Sequence, residues 1–249
     1  MIARTKVSGV TDERELELAE NLGAVRDRLS AACRAAGRKP DEVSLIVVTK
    51  TYPAADVLRL VALGVTDVGE NRDQEAAPKA AEVVQLGGRV RWHFVGQLQR
   101  NKCRSVVRYA DMVHSVDSVR LATALAVAAK SRDLPLDTLV QVSLDGDASR
   151  GGAVEDQAEP DIALDRVLEC VATAEGLALR GLMAVAPLGW QPDRAFARLA
   201  AIAALVRAKY PQAVLLSAGM SGDVEQAIQH GATHVRLGSA VLGNRASLM

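Results

Sequence analysis

The 249-residue sequence predicts an α/β chain folded as a single closed barrel of eight parallel strands, a (β/α)8 or TIM barrel. Apolar, β-branched runs alternate strictly with segments of helical periodicity, which implies a parallel sheet. Eight such runs occur with no antiparallel block between them, which points to closure over an open, doubly wound sheet. The length suits one such barrel, although two small domains would fit it equally.

The elements follow in order. Residues 13–36 place Leu16, Leu18, Leu22, Val25, Leu29 and Ala32 near helical spacing, with acids early, Arg34 late and Gly37 as the stop, so an amphipathic helix opens the chain. VSLIVVTK, residues 43–50, is a nearly unbroken aliphatic run, the pattern of a strand buried on both faces. Further strands are expected at 65–69, 90–94, 112–115, 138–143, 179–183, 213–217 and 234–237. Helices are expected at 54–62, 72–85, 102–109, 118–130, 160–174, 193–208 and 223–230. DGDASRGGAVEDQAEP, residues 145–160, is too polar and glycine-rich for core and reads as a mobile loop over one rim.

Composition narrows the function classes. Hydrophobic residues at 49% and charged residues at 24% are the balance of a soluble globular protein, which excludes disordered and collagen-like chains. Thirty basic residues match thirty acidic ones, so a nucleic-acid role would need a local patch. The nearest candidate, residues 89–108, alternates with apolar and amide residues and lacks aromatic interleaving for stacking bases. Cys33, Cys103 and Cys170 have no metal-type spacing and read as reduced thiols. Without a signal-peptide core or a run of about 20 apolar residues, the chain is expected in the cytoplasm, away from membranes.

In a parallel barrel, chemistry gathers at the carboxyl ends of the strands. Lys50 ends the first strand, where partial desolvation would favour the neutral amine that attacks a carbonyl. A rim lysine that merely snorkels is the competing reading. Polar and small residues recur at the other strand ends: Gly69-Glu70-Asn71, His93 with Gly96, His114-Ser115, Ser217 to Ser221 and Arg236 to Ser239. The segments LSAGMSGD and VRLGSAVLG follow strands seven and eight, the positions of barrel phosphate sites, and free amides there can cradle a phosphate. Ser217, Gly238 and Ser239 would add hydroxyl or close backbone contacts, against the alternative of ordinary turn chemistry. Arg236, two residues before Gly238, is either a ligand-facing cation or the partner of a barrel acid such as Glu70.

The strings VVTKTYPAADV, GVTDVGENRDQE, RWHFVGQLQRNK, ADMVHSVDS, GLMAVAP and LSAGMSGDVEQAIQHGATHVRLGSAVLG occur in one order from about Val43 to Gly243. With these the chain resembles the pyridoxal phosphate homeostasis protein family, small relatives of the alanine racemase barrel. The resemblance implies a fold type III barrel, like the N-terminal domain of alanine racemase, that holds pyridoxal 5′-phosphate as a Schiff base on Lys50. It also implies phosphate contacts from Ser217, Gly238 and Ser239, a pocket lined by Asn71 and His93, and Arg236 facing the ring nitrogen. A cation there would keep the ring nitrogen unprotonated and weaken the ring as an electron sink. The sequence departs from the family pattern at Ala218, usually Met, at Ser239, usually Thr, and in the 145–160 loop, where Arg150 stands near the family's usual lysine.

The function expected is a carrier and buffer in intracellular vitamin B6 homeostasis, with no catalytic residue, no metal, a monomeric chain, and pyridoxal phosphate-dependent apo-enzymes as acceptors. An amino-acid racemase is the alternative. Such catalysis uses two bases on opposite faces, the second completed by a separate β domain, and Met249 follows the last barrel segment so closely that no such C-terminal domain is expected. His93 or Tyr52 is the candidate one-sided base, against a plain pocket-lining role. A phosphate-sugar barrel enzyme that uses Lys50 as an aldolase does is a third reading.

Overall fold

The computed structural model describes residues 13–147 and 151–243. Arg150, named above for the rim loop, lies outside them. Helix α1 (Glu13–Ala35) leads into β1 (Ser44–Val48), α2 (Ala54–Ala62), β2 (Asp67–Glu70), α3 (Asp73–Gln85), β3 (Arg91–Phe94) and α4 (Cys103–Val106). There follow β4 (Met112–Val116), α5 (Val119–Ala129), β5 (Leu136–Gln141), α6 (Leu164–Thr173), β6 (Leu177–Met183) and α7 (Pro192–Lys209). The chain then forms β7 (Leu215–Ser217), α8 (Val224–Gln229), β8 (His234–Leu237) and the single turn α9 (Ser239–Leu242). The eight strands pair in sequence order, all parallel, and β1 closes on β8. The barrel expected from the alternating pattern is the fold observed.

Strand alternation divides the interior in two. One set of side chains, including Val47, Val68, Val113, Val140, Leu182 and Val235, packs outward under the helices. The other set points into the barrel, where Met112, Leu139 and Met183 form a separate apolar cluster with Leu215 against it. Beside this cluster, with His93 paired to Met112 and Ser217 to Met183, the barrel is filled with polar groups: His93, His114, Ser217, His234 and Arg236, all buried. α1 completes the outer ring by burying Leu18, Leu22, Val25 and Leu29. Its Arg28 pairs with Glu225 in the first turn of α8 at 2.6 Å, and Arg14 at its start reaches Asp56 at 3.0 Å and the carbonyl of Leu242 at 3.0 Å.

Two expectations change. Residues 145–160 are not a polar loop throughout: Ala153 and Val154 are buried, and Val142 bridges Ala153 while Val154 bridges Ala163. Gly152 allows this return, because its φ is +112° and a Cβ there would stand 2.5 Å from the amide nitrogen of Ser143. The segment expected as helix from 102 to 109 is one turn, α4, preceded by a 3₁₀ turn at Arg100–Lys102. Among the described residues no helix is long and apolar enough to cross a membrane, and no group of His, Cys, Asp and Glu could hold a metal ion.

The β5–β6 register slips between Thr138 and Leu139, so that Leu179 and Gly181 face successive residues and Arg180 is the extra one. Arg180 turns out to Asp137, 2.7 Å away, and Gly181 passes so close to β7 that a Cβ would lie 1.8 Å from the carbonyl oxygen of Leu215. Gly181→Ala is expected to cost about 3 kcal/mol or more, since backbone rather than a flexible side chain must move. Urea unfolding checks this; a loss below 1 kcal/mol on the same scale contradicts the close approach.

Candidate functional site

The site is built at the carboxyl end of the barrel, beginning with the residue before Lys50. The hydroxyl of Thr49 donates to Oε1 of Glu70 at 2.6 Å, and Nζ of Lys79 donates to the same oxygen at 2.6 Å and to the carbonyl of Thr49 at 2.8 Å. Glu70 and Lys79 are both buried, so this is a paired charge clamped under the end of β1. Immediately after Lys50, Thr51 takes φ +68°, a left-handed conformation that is strained for a β-branched residue. The turn is held by the amide of Thr51 donating to Glu75 at 3.1 Å and that of Tyr52 to the carbonyl of Thr49 at 3.1 Å. Lys50 itself is exposed, which corrects the expected desolvation: the amine stands past the strand end, beyond the packed layer.

The β1–β8 register sets Ile46 beside Arg236 and Val47 beside Leu237, so Gly238 and Ser239 emerge at the same rim as Lys50. A Cβ on Gly238 would meet the carbonyl oxygen of Val48 at 3.1 Å, which leaves little room for any other residue there. Ser239 begins α9, whose leading amides have no acceptor within the helix. The neighbouring turn after β7 is held to β8 by the amide of Arg236 on the carbonyl of Gly219, 3.0 Å, and is closed by the amide of Met220 on Asp223, 2.6 Å. The free hydroxyl of this turn is that of Ser221, which is exposed. Ser217, expected at the turn, is wholly buried one step below it.

Below the rim runs a chain of polar contacts through the barrel. Asp67 Oδ1 lies 2.8 Å from Nε2 of His93, Nδ1 of His93 2.9 Å from Nε2 of His114, and Nδ1 of His114 2.9 Å from Oγ of Ser217. Arg236 donates to Ser217 Oγ at 2.7 Å and to the carbonyl of Ala184 at 3.0 Å. Burial disfavours the charge of Asp67, but hydrogen bonds from His93 and Thr66 outweigh it and hold the carboxyl below its usual range. Desolvation keeps His114 well below the ordinary histidine value and brings His234 down to about 4. Burial also lowers Arg236, to about 10, which leaves it a cation at neutral pH.

Of the expected residues, Lys50, Arg236, Gly238 and Ser239 converge on one rim. The alternative partner for Arg236, Glu70, is taken by Thr49 and Lys79, and no carboxylate among the described residues pairs with the guanidinium. A buried cation oriented only by neutral acceptors fits an electron-rich ligand atom. Asn71 Oδ1 and Ser115 Oγ, at the ends of β2 and β4, are buried without hydrogen-bond partners. Gly96 lets the loop after β3 press onto Asn71, whose carbonyl oxygen would sit 2.2 Å from a Cβ there. His93 is not at the surface of the site: it is fully buried with both ring nitrogens engaged, and it reaches the rim only through His114 and Ser217. Sequence reasoning passed over Asp67, His234 and Lys79. For His234 the signal was a histidine two positions before Arg236 in one strand, on the same face.

A closed parallel barrel with its lysine, arginine and two small-residue turns on one rim defines a class, that described as alanine racemase, N-terminal domain, and this family matches residues 21–246. The chain belongs to it and, within it, to the pyridoxal phosphate homeostasis proteins. It is 49% identical over 247 residues to the pyridoxal phosphate homeostasis protein of Mycobacterium tuberculosis, covering 94% of this chain and 95% of the relative. It is also similar to PipY of Synechococcus elongatus in a structure with PLP bound, at a TM-score of 0.76 and 35% identity over 91% of this chain and all of that one. The alanine racemase of Corynebacterium glutamicum shares the fold, at a TM-score of 0.65 and 16% identity, over 94% of this chain and 64% of that one.

Two measurements test the site's construction. Lys79→Met leaves Glu70 buried and unpaired and is expected to cost about 3–5 kcal/mol in urea unfolding; a neutral result removes the clamp. His114 and His234 have folded values below the 6.5 of an unfolded histidine, so unfolding takes up protons as pH falls below 6.5. Their contribution is intact above pH 6.5 and is lost below it, His234 alone weakening the fold by roughly 3 kcal/mol as pH drops to about 4. Urea midpoints measured between pH 7 and 4.5 should fall steeply, and His234→Phe should flatten the slope; equal slopes refute the assignment.

Proposed function

We propose that the whole chain, 1–249, is one domain that binds pyridoxal 5′-phosphate reversibly at Lys50 and serves as a cytoplasmic, monomeric carrier and buffer in pyridoxal phosphate homeostasis. The observation that carries this reading is Arg236, a buried guanidinium that no carboxylate among the described residues pairs with, just below the rim that bears Lys50 and the Gly238–Ser239 turn. Lys50 would hold the aldehyde carbon through its amine nitrogen, with water released. The amides at the start of α9, the Ser239 hydroxyl and the exposed Ser221 hydroxyl hold the phosphate. Ser217, which accepts from Arg236 at 2.7 Å, would hold the guanidinium in place beside the bound group. Asn71 Oδ1 and Ser115 Oγ offer the pocket two unengaged polar atoms.

What the group would supply when bound is an electrophilic carbon and an electron-withdrawing ring, and an arginine facing the ring nitrogen would restrain the second. The groups considered as bases are otherwise employed. Tyr52 donates its hydroxyl to the carbonyl of Gly243 at 2.8 Å, and His93 uses both nitrogens inside the barrel. This supports carriage over racemisation, with pyridoxal phosphate-dependent apo-enzymes as the acceptors.

Borohydride reduction of the loaded protein followed by peptide mapping should find the pyridoxyl group on Lys50, and Lys50→Ala should lose the visible absorbance while keeping its unfolding midpoint. A tag on another lysine overturns the assignment. Incubation with L-alanine and other amino acids is expected to yield no steady D-isomer; enzyme-like rates of its formation would replace the carrier reading with a racemase.

A further inference from the structure

We propose that Asp67 is a positioning residue for the candidate site: its carboxylate sets the direction of the hydrogen-bond chain through His93, His114 and Ser217, and thereby fixes where the guanidinium of Arg236 points. The proposal rests on the reading above that Arg236 faces the ring of the bound cofactor. Its own basis is the accounting of protons along the chain.

A carboxylate only accepts, so His93 must carry its hydrogen on Nε2. An uncharged imidazole with Nε2–H has a bare Nδ1, which obliges His114 to donate from Nε2. His114 then has a bare Nδ1, and Ser217 must give it the one hydroxyl proton it has. The oxygen of Ser217 is left to accept, which it does from Arg236. For uncharged imidazoles this is the single solution, and His93, His114 and Ser217 are each 0% exposed, so bulk water offers no alternative partner.

The arrangement orients a charge without cancelling it. Lys79, the other buried cation at this end of the barrel, is tied to a carboxylate, Glu70. Arg236 is held at two points by the neutral Ser217 oxygen and Ala184 carbonyl. Two fixed donors set the plane of a rigid guanidinium, so its remaining N–H groups have fixed directions too. The matching negative charge, Asp67, sits at the opposite end of the barrel, at the start of β2. Asp67 also accepts from Thr66 at 2.6 Å and lies 3.9 Å from Arg91, which in turn is 3.8 Å from Asp137. The ring of His234 flanks the chain, 6.2 Å from His93 and 6.5 Å from His114, and Asp223 is the acid whose field reaches Arg236.

The test has two parts. In the cofactor-free protein, nitrogen-15 spectra of the histidine rings should find both His93 and His114 as neutral Nε2–H tautomers. An Nδ1–H form of His114, or an imidazolium at His93, overturns the proposed direction. In the protein loaded with pyridoxal 5′-phosphate, the pH midpoint of the visible band should move by about one unit, tenfold in the equilibrium, in both Asp67→Asn and His114→Phe. The shift should have the sign seen in Arg236→Lys. Thr138→Val, a buried change on the outer face of β5, should leave the midpoint alone. Wild-type midpoints in Asp67→Asn and His114→Phe overturn the proposal. A wild-type protein with no visible band sinks the cofactor reading instead, and the nitrogen spectra still judge the chain. Should His114→Phe not fold, Asp67→Asn and the nitrogen spectra decide between these outcomes.

Discussion

The pairing of β1 with β8 is the constraint from which the site follows. Four register pairs, Ser44 with His234 through Val47 with Leu237, bring the first strand against the last. Lys50 and Ser239 lie near opposite ends of the sequence, and in an open sheet with the same strand order they would stand on opposite edges. Closure sets them on one rim, and it does so through a contact in which Gly238 faces the carbonyl of Val48 with little space to spare. Lys50 and the Gly238–Ser239 turn are therefore brought together only by the pairing of the first strand with the last.

Within that frame two buried cations at the same end of the barrel are treated differently. Glu70 and Lys79 neutralise each other beneath Thr49 and stiffen the backbone that presents Lys50, with the strained Thr51 turning the chain away at once. Arg236 keeps its charge and spends its hydrogen bonds on neutral oxygens. A buried ion pair is weak evidence for stability in itself, but its rigid geometry suits a scaffold. An unpaired buried cation is costly unless a ligand shares the burden. The first feature reads as framework and the second is the group that the proposed function assigns to a ligand, a distinction that burial alone would not reveal.

Much of this was legible in the residues. The aliphatic run ending in Lys50 and the two small-residue turns followed from strand and turn chemistry, and their shared rim followed from the barrel. Strand limits were less legible. β5 begins earlier and β7 later than the apolar runs suggest, since pairing with neighbours, including the bulge at Arg180, decides where the ladder starts. The polar half of the barrel interior was hidden because each of its members sits alone in an apolar run, and only three dimensions bring Asp67, His93 and His114 into line. The inward direction of Ser217 was hidden for a related reason: its neighbours form the turn, while strand alternation points its own side chain into the barrel. Ala153 and Val154 were lost in a polar stretch because two apolar residues carry no periodicity.

The exposure of Lys50 has a consequence for how cargo would leave. At the attachment point proposed above, an exposed lysine can be met by an incoming amine without any described segment being moved. Departure would then be governed by encounter with a receiver, while residence would be governed by the grip on the anionic tail and the ring. Such a division separates how tightly the vitamin is kept from how quickly it can be surrendered.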